Sequence, residues 1–141
     1  MNVLVDTSVW SLALRRKAQD LNPAERRLVE ELAELIRDGR ARLLGIIRQE
    51  LLSGIKVQAQ FEKLRNTLRA FQDEPVTTAD YEAAAKAGNE CRAKGIAVSM
   101  ADILICAVAL NRDLLILSTD PDFTNYAKIL PLKLHTITGR P

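Results

Sequence analysis

Apolar positions along this chain fall into two rhythms, short unbroken runs and longer stretches at helical spacing. Val3-Leu4-Val5 is an unbroken run closed by Asp6, the pattern of a strand buried on both faces. Thr7 and Ser8 are favoured helix N-caps, so a helix is predicted from about Ser8. Asn22-Pro23-Ala24-Glu25 opens a second helix: Asn caps, Pro fits the first turn, and Glu25 lies three residues beyond the cap. Leu28, Leu32, Leu35 and Ile36 give that helix its apolar stripe, and Asp38-Gly39 ends it. Residues 41–44 read as a second strand and 46–53 as a short helix stopped by Gly54. Residues 56–72 carry Phe61, Leu64, Leu68 and Phe71 at spacings of three and four. Beyond a brief extended piece at 75–77, helices are predicted over 78–94 and 99–111, a strand over 114–117, a turn over 120–125 and a last strand over 132–137.

Strands alternating with helices imply an α/β fold with a parallel sheet covered by helices. In such open sheets ligands bind beyond the C-terminal ends of the strands. No repeat, low-complexity segment or linker interrupts the pattern, so residues 1–141 are expected to form one domain.

Four acids interrupt this apolar pattern at the ends of elements: Asp6, Glu50, Asp102 and Asp120, with Asp122 close behind the last. Each has an ordinary use. Asp6 can cap the helix that follows it, and Glu50 can be a solvated helix acid. Ser99-x-x-Asp102 has the spacing of a capping box, and Asp120-Pro121-Asp122 has turn chemistry. Against solvation of Glu50, its helical neighbours Ile46, Ile47 and Leu51 bracket it with apolar groups. Against simple capping by Asp102, residues 103–110 are apolar on every side, the mark of a buried helix. If the acids converge within about 5 Å, each pair repels by roughly 3 kcal/mol at an effective dielectric of 20. A divalent cation with oxygen ligands, Mg²⁺ or Mn²⁺, removes that conflict and completes a phosphoryl-transfer site.

Composition sharpens this reading. Hydrophobic residues make up 48% and charged residues 27%, ordinary for a globular chain. The net charge is only +2, but with five acids turned into one pocket, 13 remain to meet 20 bases. An acidic hollow in a basic surface suits a polyanion. Cys91 and Cys106 have no metal-ligand spacing, and Cys106 reads as a core thiol. His135, the sole histidine, reads as structural, so zinc is disfavoured. No apolar run reaches the ~20 residues of a membrane span. The start lacks the features of a signal peptide, and a cytoplasmic location is expected.

Four motifs together give the chain a resemblance. Val5-Asp6-Thr7-Ser8-Val9-Trp10, Glu50-Leu51-Leu52-Ser53-Gly54, Ser99-Met100-Ala101-Asp102-Ile103-Leu104-Ile105 and Ser118-Thr119-Asp120-Pro121-Asp122-Phe123 occur in this order. The chain resembles the PIN-domain ribonucleases, and among them the VapC-type toxins of toxin–antitoxin pairs. The resemblance implies a three-layer sandwich around a small parallel sheet, usually dimeric. It implies Mg²⁺-dependent hydrolysis of RNA phosphodiester bonds by metal-activated water, silenced by a VapB-type antitoxin. Asp6, Glu50, Asp102 and Asp120 would then be the metal-binding acids and Asp122 an auxiliary one. Thr7, Ser99 and Ser118 would be polar groups near the site, Ser118 standing where the family more often has Thr.

Arg15, Arg16 and Lys17 are candidate RNA contacts, and Trp10 and the 56–72 stripe are candidate partner contacts. A non-catalytic interaction module on the same fold is the alternative, against which the full set of acids argues. A phosphoacceptor receiver needs an adjacent acidic pair after the first strand, and here Thr7 follows Asp6.

Overall fold

The computed structural model describes residues 1–137, so positions 138–141 of the expected single domain lie outside the described residues. Three strands, β1 (Val3–Val5), β2 (Ala41–Arg42) and β3 (Leu115–Leu117), form a parallel sheet in the order β2-β1-β3. The central strand β1 is wholly buried, as its unbroken apolar run requires. Around the sheet lie α1 (Thr7–Leu14), α2 (Pro23–Arg37), α3 (Gly45–Leu52), α4 (Gln58–Leu68), α5 (Thr78–Ala93), α6 (Met100–Asn111) and α7 (Asp122–Tyr126). A short 3-10 turn, Ala18–Asp20, joins α1 to α2.

The start signals act as the sequence implies in α2, where Asn22 and Glu25 exchange both bonds of a capping box. Gly54, at φ 84°, turns the chain after α3 in a conformation that a side chain would disfavour. The helix read as apolar all round is α6, and Ile103, Ile105, Cys106, Ala107, Val108 and Ala109 on it are buried.

The edges of the sheet differ from expectation. The strand expected over 132–137 is reduced to a single parallel bridge between Leu134 and Ile116. Ile116 donates to the Lys133 carbonyl (2.9 Å), and its own carbonyl accepts from the His135 amide (2.8 Å). With β3 only three residues long, there is no further backbone to pair with. His135 is fixed by Glu31 of α2, its Nε2 lying 2.5 Å from the carboxylate. On the far side, β2 stops at Arg42, and Leu43 makes a lone bridge to Asp73. The turn expected over 120–125 continues into α7, which begins at Asp122 and buries Phe123 and Tyr126.

Trp10 belongs to the core and not to a partner surface. It is 1% exposed, its indole N–H donates to the Val5 carbonyl (3.0 Å), and its ring meets Phe71 edge-on at 5.1 Å. In the 56–72 stripe, Leu64 and Leu68 are buried and Phe71 packs half-buried against the core, while Phe61 is half-buried and stands outside it. No described helix is long and apolar enough to cross a membrane.

Candidate active site

The register of the sheet sets the site. Val5 pairs with Leu117, so the residues following β1 and β3 leave the sheet side by side at its C-terminal edge. The Asp6 amide donates to the Leu117 carbonyl (2.9 Å) and holds the two corners together.

Asp6 occupies the N-cap position of α1, but its side chain caps nothing. Its Oδ2 instead accepts from Ser8 Oγ (2.9 Å) and Ser118 Oγ (2.7 Å). These hydroxyls in turn accept from backbone amides, Ser8 from Thr119 (3.1 Å) and Ser118 from Asp120 (3.0 Å). The carboxylate is buried, 6% exposed, inside this lattice of hydroxyls. Thr7 and Ser8 therefore do not cap α1: Ser8 orients Asp6, and Thr7 Oγ1 donates to Glu50 Oε1 at 2.6 Å.

Asp102 stands in the first turn of α6. Ser99 Oγ accepts its amide (3.1 Å), but the reciprocal bond of a closed box is not made. The carboxylate instead takes the Tyr126 hydroxyl on Oδ2 (3.2 Å). Burial pushes the pKa of Asp102 up, and the negative charges of Asp6 and Asp120 push it further. The hydroxyls of Ser99 and Tyr126 oppose that shift.

Asp120 follows β3, and its Oδ1 accepts the Asp122 amide across Pro121 (2.9 Å). One carboxylate oxygen from each of Asp102, Asp120 and Asp122 lies within 4.8 Å of the other two. Asp6 and Glu50 lie outside that group of three. Glu50 is exposed, although Ile47 and Leu51 beside it are wholly buried. It stands in the last turn of α3, tied by Thr7 to the first turn of α1.

The donor set suits a hard cation. It is oxygen-only, and its carboxylates repel one another unless a positive charge sits among them. Soft ligands are not among the clustered donors: Cys91 and Cys106 are buried, and His135 faces Glu31. Two groups at this site were not singled out for it from sequence. Ser8 has the pattern of a cap, and Tyr126 carries no periodic signal at all.

Residues 3–129 match the family described as PIN domain. The chain belongs to the PIN domain family. The three-stranded parallel sheet flanked by helices is accordingly a PIN fold. Among solved structures, this PIN domain is similar to FitAcB from Neisseria gonorrhoeae at 21% identity and a TM-score of 0.75, over 95% of this chain and 96% of that one. It is similar to VapBC2 from Rickettsia felis, bound to a DNA fragment from its promoter, at 16% identity and a TM-score of 0.72, over 96% and 98% of the two chains. VapBC-5 from Mycobacterium tuberculosis, a member of the VapBC family of toxin–antitoxin systems, is 18% identical with a TM-score of 0.65, over 95% and 98%. At these identities the likeness is one of fold. No curated protein matches the chain.

Proposed function

We propose that this PIN domain is a Mg²⁺-dependent endoribonuclease, with Mn²⁺ able to replace Mg²⁺, and that it is the toxin of a type II toxin–antitoxin pair. The observation that carries the reading is the gathering of Asp102, Asp120 and Asp122 at the C-terminal edge of the sheet, with buried Asp6 beside them. Asp102, Asp120 and Asp122 would hold the ion, Asp6 would face it from the β1 corner, and Glu50 would add charge from α3. When bound, a divalent ion supplies Lewis-acid stabilisation of phosphate charge and a water of lowered pKa.

The chain's own groups do the positioning. Ser8 and Ser118 hold Asp6 by a single oxygen, and Thr7 holds Glu50. The Asx-type bond from Asp122 to Asp120 fixes the corner on which both acids ride. Arg15 and Lys17, exposed beyond the end of α1, are suited to an RNA backbone.

One of the similar structures, VapBC-5, is by name a member of a family of toxin–antitoxin systems, which supports a VapB-type antitoxin partner for this chain. Homodimerisation and a cytoplasmic setting accompany that reading.

The deciding experiment is cleavage of total RNA by the purified protein with Mg²⁺, with excess EDTA, and with Asp102→Asn. Cleavage by wild type with Mg²⁺ alone supports the nuclease. RNA binding with no cleavage under any divalent ion favours the alternative, a non-catalytic module on the PIN fold.

A further inference from the structure

The short helix α7 joins two parts of the candidate site. Asp122 is its first residue and Tyr126 its last, four positions apart and so on one face. Asp122 belongs to the group of three carboxylates, while Tyr126 reaches across to the third member, Asp102 on α6. The phenol is an unusually fixed donor. Tyr126 is 2% exposed, and its ring packs edge-on against Phe123 with centroids 5.5 Å apart. Its carbonyl accepts from the Leu130 amide at 2.8 Å.

An Asp side chain has two free torsions, and a metal ligand that must first be ordered binds more weakly. A donor held this rigidly restricts the terminal freedom: with Oδ2 on the phenol, rotation of the Asp102 carboxylate is restrained. We infer that Tyr126 is a positioning residue, whose hydroxyl aims the Asp102 carboxylate at the space shared with Asp120 and Asp122 and so sets the metal affinity of the group. The inference rests on the reading of these acids as a divalent-ion site. It adds that their affinity is governed in part by a neutral hydroxyl carried on the same helix as one of them.

Tyr126→Phe tests it, because it removes one oxygen and keeps the ring against Phe123. Mn²⁺ is titrated calorimetrically into RNA-free protein dialysed against EDTA, for wild type and variant, with melting temperatures alongside. The expected result is a Mn²⁺ dissociation constant raised about ten-fold, the lower range for loss of a ligand's outer partner. Half-saturation of RNA cleavage by Mn²⁺ should rise by the same factor, with KM for RNA unchanged and kcat restored at saturating Mn²⁺. A general weakening of the fold does not give that rescue. Equal Mn²⁺ affinity in the two proteins overturns the inference and leaves the metal site standing. Loss of folding in Tyr126→Phe, or a kcat that saturating Mn²⁺ does not restore, assigns Tyr126 to structure and also overturns it. Failure of wild type itself to bind Mn²⁺ removes the site and the inference together.

Discussion

Ser99 accepts the amide of Asp102 at 3.1 Å, yet the Asp102 carboxylate does not return the bond. Thr77 and Asp80, at the same spacing, exchange both bonds of the box. The two aspartates look alike in sequence and are put to different uses. Asp80 is 2% exposed and also receives Arg112 (2.8 and 3.0 Å) and Asn111 (2.7 Å), which locks α5 to the end of α6. Asp102 turns away from its own helix, toward Tyr126 and the other acids.

Asp80→Ala should therefore harm the fold and spare the chemistry. It strips Arg112 and Asn111 of a shared acceptor, and breaking such a pair costs about 3 kcal/mol. Urea denaturation should show that loss, while cleavage per folded molecule stays at the wild-type level.

The same carboxylate gives the acid limb of stability its shape. The Arg112 guanidinium, more than any other neighbour, holds the Asp80 carboxyl well below the usual carboxylate range, with burial opposing it. A depressed folded-state pKa means that the unfolded chain binds the proton first as pH falls. The stabilisation is thus complete above the unfolded pKa of about 4 and is lost progressively below it. Urea midpoints between pH 6 and pH 2.5 should fall below about pH 4 in wild type and fall less steeply in Asp80→Asn.

Asp6→Asn keeps an oxygen for Ser8 and Ser118 and removes the charge. The protein should remain folded, with Mg²⁺-dependent cleavage reduced on the order of a hundred-fold or more. Circular dichroism beside a gel assay of RNA cleavage reads both, and wild-type turnover would remove Asp6 from the site.

Asp102 should carry the opposite sign from Asp80. Its folded-state pKa is raised, chiefly by burial and then by Asp6, so its ionised form strains the folded protein at neutral pH. Asp102→Asn should accordingly raise the melting temperature of metal-free protein at pH 7, measured in EDTA. Mg²⁺ should raise the melting temperature of wild type and not of the variant. A lower melting temperature for Asp102→Asn in EDTA would contradict this account.

Expression of the chain without a partner should arrest growth of a bacterial host, and Asp102→Asn should relieve the arrest at equal soluble level. Unimpaired growth at confirmed high expression of soluble wild type would set aside the toxin role and leave the nuclease to the RNA assay.

The three parallel strands and the larger helices could be read from apolar runs and caps because short-range pattern decides them. Where two signals compete, the sequence is less decisive. Asp120-Pro121-Asp122 reads as a turn, but the same residues also start α7. Glu50 has apolar helical neighbours and is nonetheless exposed, because it lies in the last turn of α3, next to the first turn of α1. The convergence of Asp102 with Asp120 and Asp122 depends on α6 packing beside the β3 corner, which no local spacing encodes. Tyr126 is the extreme case, since its hydroxyl matters only through a partner 24 residues away.

Each rim of the small sheet carries one further bridge, Leu43 with Asp73 beyond the end of β2 on one side and Ile116 with Leu134 on the other. Exposed strand edges are where foreign chains join a sheet and where unwanted polymers begin. Here the chain itself covers one residue of each rim. Recognition through side chains on helical faces would let sequence drift and re-specify a mate without disturbing the backbone that carries the acids.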